Sequence, residues 1–138
     1  MDTIPNPPPG PPLRVLLVEN DTDTSRTAAA LLGDAGFDPL VAGDGPTALD
    51  LAAREGFHAA LLDIGLPGMD GYEVARRLRA LGRQPRPLLV AVTGLPSEAD
   101  GRRSVEAGID LHLVKPADPH FLVTLLRRHA ELSRPAGG

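Results

Sequence analysis

The chain alternates between short unbroken apolar runs and longer stretches in which apolar residues return every three or four positions. Residues 13–18 (LRVLLV), 58–63 (HAALLD), 88–93 (LLVAVT) and 111–114 (LHLV) are the runs. Continuous apolar character over four to six residues marks strands buried on both faces. Residues 39–42 form a weaker fifth strand. Between the runs lie helical patterns. The first, 24–35, carries Ala28, Leu31, Leu32 and Ala35 on one side and stops at Gly36. The second, 46–54, has proline in its first turn and an apolar side of Ala48, Leu51 and Ala52. The third, 70–81, starts at Asp70 with Glu73 in capping-box relation and turns Val74, Leu78 and Leu81 inward. The fourth, 97–107, has Ser97 as its cap. The fifth begins at Asp118 and Pro119 and directs Phe121, Leu122, Leu125 and Leu126 to the core. Five strands alternating with five helices predict an α/β domain: a parallel sheet with helices on both faces.

Composition trims this picture at its ends. Six of the 15 prolines fall in residues 1–12, which predicts a disordered lead-in, and residues 133–138 read as a flexible tail. The folded domain is therefore expected over 13–132. With 42% hydrophobic but only 3% aromatic residues, its core must be aliphatic. There is no cysteine, which excludes disulfides and thiolate chemistry and fits a reducing cytoplasm. No apolar run approaches the roughly 20 residues of a membrane span. A net charge of −4 gives no support for nucleic-acid binding. Of the 14 basic residues, 13 are arginine and one, Lys115, is lysine.

In open α/β sheets ligands bind beyond the carboxyl ends of the strands, so the residues ending each strand matter most. The first strand runs into Glu19, Asn20 and Asp21; the third ends at Asp63, the fourth at Thr93, the fifth at Lys115. The topology gathers these distant groups at one edge. Two unit charges about 4 Å apart repel by roughly 4 kcal/mol at an effective dielectric near 20. A carboxylate cluster there calls for a hard divalent cation, and oxygen donors suit Mg²⁺.

The segment LLDIGLPGMDGYEV, followed by a strand ending in Thr93 and another ending in Lys115-Pro116, resembles the receiver domains of two-component response regulators over residues 13–130. The resemblance implies a doubly wound, flavodoxin-like (βα)₅ fold with strand order 2-1-3-4-5. It implies that Asp63 accepts a phosphoryl group from a phosphohistidine on a histidine kinase or phosphotransfer protein. Mg²⁺ would be held by Asp63, the backbone carbonyl of Gly65 and the acidic group Glu19-Asn20, with Asp21 assisting. Lys115 would pair with the acceptor and then the phosphoryl group, and Thr93 would donate its hydroxyl. Thr93 and His112 would act as the switch, His112 standing where the family has an aromatic residue; the alternative is a partly exposed surface histidine. Pro116 would follow a cis peptide. Asp70 reads as a helix cap, and His58, His120 and His129 as solvated. Arg102-Arg103 and Arg127-Arg128 read as solvated helix faces.

Three departures qualify the resemblance. Asn20 replaces the usual second acidic residue, which implies weaker metal binding or a tolerated amide ligand. Gly65 and Leu95 leave no polar group beside the acceptor, which implies slow self-dephosphorylation. Only 23 residues follow Lys115, so the expected output is protein–protein contact through the fourth helix, fifth strand and fifth helix, including a possible homodimer, without direct contact to nucleic acid or membrane. Such a domain is no enzyme beyond its own phosphorylation and dephosphorylation. One rival is a pseudo-receiver, the same fold acting as a phosphorylation-independent scaffold. An Asp-nucleophile hydrolase of the haloacid dehalogenase type would need a second Asp where Gly65 stands, and a flavodoxin-like cofactor binder would need a Gly- or Thr-rich phosphate loop after the first strand.

Overall fold

The computed structural model describes residues 12–66, 68–94, 98–115 and 117–132. Five strands, β1 (Arg14–Val18), β2 (Asp38–Ala42), β3 (Ala59–Asp63), β4 (Leu88–Thr93) and β5 (Leu111–Val114), form one parallel sheet in the order β2-β1-β3-β4-β5. They alternate with α1 (Thr22–Asp34), α2 (Gly45–Glu55), α3 (Gly71–Ala80), α4 (Glu98–Glu106) and α5 (Pro119–Leu132). The order reverses between β1 and β3, so β1, β3 and β4 lie side by side in the middle. Register aligns their ends: Val18 stands opposite Leu62, and Asp63 opposite Val92.

Successive residues of a strand face opposite sides of the sheet, which explains the unbroken apolar runs. Leu16 and Val18 of β1 join a core with Ala48, Tyr72, Val74, Leu78 and Ile109 on the α2–α3–α4 side. Val15 and Leu17 join a second core with Leu32, Leu61, Val90, Leu122 and Leu126 on the α1–α5 side. Burying one such side chain contributes about 1.5–3 kcal/mol. The helix starts are chemically marked: Asp44 accepts from the Thr47 N–H at 2.8 Å, and Asp70 from the Glu73 N–H at 2.8 Å. These bonds satisfy amides that the first helical turn leaves open.

Several sequence expectations need correction. Phe121, expected in the core, is 48% exposed, and Leu81, expected on the inward stripe of α3, is 39% exposed. In α5 the buried positions described are Leu122, Leu126 and Ala130, and the 100° advance per residue carries Phe121 past the edge of that stripe. Leu81 falls one residue beyond the last helical position of α3. The capping box is half-formed, because the Glu73 carboxylate pairs with Arg76 and Arg77. His58 and His129 are half-buried, and His58 Nδ1 accepts from the Arg14 N–H at 2.9 Å. Residues 1–11, Leu95, Ser97, Pro116 and the tail 133–138 lie outside the described residues.

Candidate functional site

Four chain segments meet at the carboxyl edge of the sheet. Glu19 follows β1, and its N–H donates to the Ala42 carbonyl of β2, which ties the acidic turn to the sheet. Asp63 is the last residue of β3 and Thr93 the last of β4. Lys115 follows β5, and its N–H donates to the Thr93 carbonyl at 2.8 Å. The ladder therefore fixes the start of the lysine side chain. Its Nζ lies 3.1 Å from Asp63 Oδ1 and 3.9 Å from Glu19 Oε1. Both carboxylates are mostly enclosed, with 12% and 14% side-chain exposure, whereas the lysine is 40% exposed. Asp63 Oδ1 also accepts from the Gly65 N–H at 3.0 Å.

These contacts split the two acids. Burial pushes both upward. At Asp63 that push is outweighed by hydrogen bonds from Glu19, the Gly65 N–H and Lys115, and its carboxyl is held below the ordinary range. At Glu19 burial and the hydrogen bond with Asp63 prevail, and its carboxyl is raised. Of the two, Asp63 is therefore the more readily ionised. An ionised, partly desolvated carboxylate beside an ammonium has the chemistry of an oxygen nucleophile toward an electrophilic centre. Open space is available to such a centre: Glu19, Asp63 and Lys115 line the mouth of a cavity of about 680 Å³ that continues between α1 and α5 past Leu31 and Leu122.

The other expected ligands are placed less directly. Asn20 is exposed beside the site. Asp21 occupies the N-cap position of α1, and its carboxylate accepts from the Thr24 hydroxyl. Among the described residues no three His, Cys, Asp or Glu side chains converge as a metal-binding group. The oxygen donors at the edge are two carboxylates, one amide and backbone carbonyls, a set that fits a hard cation with part of its water shell retained.

On the α4 side of the sheet the structure joins the expected cap Asp70 and the expected switch residue His112 to Arg103 and Ser104, of which Arg103 was expected to be solvated. Asp70 accepts from Arg103 Nη2 at 3.1 Å, and the Arg103 guanidinium lies 4.2 Å from the centre of the Tyr72 ring. Ser104 Oγ is 2.8 Å from His112 Nδ1. At the opposite end of the sheet Asp110 pairs with Arg79 at 2.7 Å and Arg86 at 2.6 Å and accepts from the Leu89 N–H. None of these partnerships had a local signal, because each joins residues 8 to 33 positions apart in different elements.

A doubly wound sheet with this order and an acid–lysine pair at its carboxyl edge defines a chemotaxis-regulator-like fold. A receiver-domain protein from Methanospirillum hungatei superposes with a TM-score of 0.82 at 28% identity, over 88% of this chain and 96% of that one. The family model for the response regulator receiver domain matches residues 15–127, and the chain belongs to that family. The sensory transduction protein RegX3 of Mycolicibacterium smegmatis is 38% identical over 113 residues, which is 82% of this chain and 48% of that protein. A 14.6 kDa protein of Leptolyngbya boryana is 31% identical over 83% of this chain and 88% of its own length. The chain therefore spans about half the length of RegX3, and most of the small protein. Among the described residues no helix is long and apolar enough to cross a membrane.

Proposed function

We propose that the chain is a phosphorylation-controlled signalling domain in which Asp63 accepts a phosphoryl group from a phosphohistidine of a histidine kinase or phosphotransfer protein. The observation that carries this reading is the 3.1 Å approach of Lys115 Nζ to Asp63 Oδ1, made by residues 52 positions apart through the ends of two strands (115 − 63). A carboxylate oxygen of Asp63 forms a bond to phosphorus while the phosphorus–nitrogen bond breaks, and the imidazole of the donor leaves with that electron pair and takes up a proton. Lys115 starts paired with the carboxylate and follows the negative charge onto the phosphoryl oxygens. The Thr93 hydroxyl, at the neighbouring strand end, donates to one of those oxygens.

Mg²⁺ suits the donor set: Glu19, Asp63, the Gly65 carbonyl and the Asn20 amide would hold it, with Asp21 assisting. When bound, the ion neutralises charge on the transferring oxygens. Asn20 supplies a neutral oxygen, so binding is weak. Gly65, two residues beyond Asp63, and Leu95, two beyond Thr93, carry no polar side chain to hold an attacking water, which makes self-dephosphorylation slow. Thr93 and His112 carry the switch, and the face of α4, β5 and α5 carries the output. Val105, Val114 and Phe121 of that face are 77%, 52% and 48% exposed, an apolar set suited to a downstream protein or a second copy of the chain. Beyond its own phosphorylation and dephosphorylation the domain turns over no substrate, and it works in the cytoplasm with the kinase.

Intact-mass measurement after incubation with acetyl phosphate and Mg²⁺ tests the reading. The wild type gains one phosphoryl group that hydroxylamine removes, and Asp63→Asn gains none. A wild type that stays unmodified, or an equal gain in Asp63→Asn, favours a phosphorylation-independent scaffold instead.

A further inference from the structure

The cavity beside Asp63 is larger and longer than a phosphoryl group requires. Its volume of about 680 Å³ falls within the range of about 300–1,000 Å³ found for small-molecule sites. β1 and β3 contribute Leu17 and Leu61 to it from the sheet, and α1 and α5 contribute Leu31, Leu122 and Val123 from the sides. Along α1 the lining runs from Asp23 to Leu31, about 12 Å at 1.5 Å per residue. That length suits an extended alkyl chain of medium size. The wall hydroxyls of Thr24 and Ser25 are turned to local partners. Thr24 donates to the Asp21 carboxylate, and Ser25 donates to the Thr22 carbonyl at 3.0 Å. The body of the cavity therefore offers aliphatic contact.

Charge is gathered at one end. Asp23, in the first turn of α1, joins Glu19, Asp63 and Lys115 in lining the cavity where it opens at the carboxyl edge of the sheet. Three carboxyl groups thus meet one ammonium, which already stands 3.1 Å from Asp63. An anionic head group entering here would face three like charges, and a neutral one would leave the excess unanswered. A second ammonium, carried by a ligand, would offset it. A carboxylate has about four acceptor sites. Asp63 Oδ1 spends its capacity on Lys115 and the Gly65 N–H, and Glu19 Oε2 accepts from the Asp21 N–H, so each group keeps an oxygen with sites to give.

We propose that the cleft between α1 and α5 binds a small amphiphilic cation, a protonated amine with an apolar tail of medium length. Its ammonium lies against Glu19 and Asp63, and its tail runs past Leu31 and Leu122. The consequence for signalling rests on the proposed function: the bound ammonium takes carboxylate oxygens that would hold Mg²⁺ and so opposes phosphoryl uptake. Binding itself does not depend on that reading and is measured on the unphosphorylated chain without Mg²⁺.

Titration of the full chain with butyl-, hexyl- and octylammonium, followed by amide NMR shifts, reads it directly. Each buried methylene tightens binding by about three- to fourfold, so octylammonium binds about tenfold more tightly than hexylammonium. Octanoate and octanol carry a tail of similar length and bind about tenfold more weakly than octylammonium, the worth of one charge-assisted hydrogen bond. The shifts fall on Leu31, Leu122 and Val123 as well as on Glu19 and Asp63. Ala28→Phe puts a ring into the cleft and removes the dependence on chain length. Val123→Asn, which adds no bulk to the wall, weakens octylammonium more than butylammonium. Equal binding of the three head groups, affinity that does not rise with chain length, or shifts confined to another face would overturn the proposal. Added Mg²⁺ weakens octylammonium competitively, and independent binding of the two overturns the placement of the head group. With acetyl phosphate and Mg²⁺, octylammonium slows phosphoryl uptake and octanoate does not. Uptake at the full rate with octylammonium bound overturns the link to signalling. No uptake by the wild type strikes the phosphoacceptor reading and leaves the binding series to decide the cleft.

Discussion

Replacing Gly71 by alanine tests the joint between β3, which ends at Asp63, and α3. Gly71 is the first residue of that helix and is buried. A methyl group there would lie 2.8 Å from Ile64 Cα, 2.8 Å from Ile64 Cδ1 and 2.9 Å from the Asp63 carbonyl oxygen. Carbon atoms rest comfortably about 3.5–4.0 Å apart, so each contact is too close by more than half an ångström. Two of the three partners are backbone atoms, which have no rotamer to escape into. Over-packing of this kind costs about 1–3 kcal/mol, and rigid partners place it at the upper end. Alanine returns up to about 1 kcal/mol through helix propensity. The net loss is then about 1–2 kcal/mol. With a urea slope of about 2 kcal/mol per molar, the midpoint falls by about 0.5–1 M with the slope unchanged. Gly33→Ala in α1 is the control, because a Cβ there meets nothing within 4 Å; its midpoint rises by about 0.2–0.5 M. The same displacement of Ile64 disturbs the backbone of Asp63, so phosphoryl uptake falls in Gly71→Ala and not in Gly33→Ala. A Gly71→Ala midpoint equal to that of the wild type, with the control behaving as described, would show that the steric argument is wrong.

Asn20→Asp adds a second fully charged oxygen beside Glu19, and Mg²⁺ binding measured by titration calorimetry tightens by about tenfold; an unchanged affinity means that residue 20 does not reach the ion. Asp110→Asn weakens the pairings with Arg79 and Arg86 and lowers stability to urea by about 1–2 kcal/mol, discounted for the partial exposure of the group. Burial raises the Asp110 carboxyl, but the Leu89 N–H and the two guanidinium groups outweigh it and hold it below its ordinary value. A depressed acid stabilises the fold above its unfolded value and loses that contribution as pH falls through the folded one. The urea midpoint therefore drops below about pH 4, and less steeply in Asp110→Asn. Burial lowers His58 and His129 below the usual imidazole value. The unfolded chain then binds more protons as pH falls below about 6.5, and stability begins to decline there; His129→Phe reduces that early decline, and an identical profile argues against it.

The sheet was legible because burial on both faces leaves a direct trace in sequence. LRVLLV and LLVAVT have no polar face, and both became central strands. The strand ends were legible for a related reason: a charged residue directly after such a run has to sit at the sheet edge, and Asp63 and Lys115 do. Helix faces were less exact. Phe121 and Leu81 are apolar residues beside the buried stripe, and composition does not reveal whether a large side chain ends just inside or just outside it. Pairings between elements were not legible. Arg103 looked like a solvated charge next to Arg102, and only the approach of α4 to the start of α3 puts Asp70 and Tyr72 within its reach. Ser104 gave no signal, since serine in a helix usually turns to water, whereas here it is the hydroxyl that meets His112.

Why this chain, which uses arginine at every other basic position, has lysine at 115 follows from the shape of the site. The cation there faces two carboxylates at unequal distances, 3.1 and 3.9 Å, one ending β3 and one following β1. A guanidinium is a planar fork that binds best with both arms on one carboxylate. Seated on Asp63 in that way, it would occupy both oxygens, one of which already accepts from Gly65, and leave none free for the proposed attack on phosphorus. An ammonium is a compact charge on a flexible stem. It lowers the cost of gathering two acids without fixing either of them, and it turns to new negative charge through rotations of its own side chain. The 40% exposure of Lys115 beside carboxylates only 12% and 14% exposed has the same consequence: the partner that moves is the one kept closest to water, where changing partners costs least.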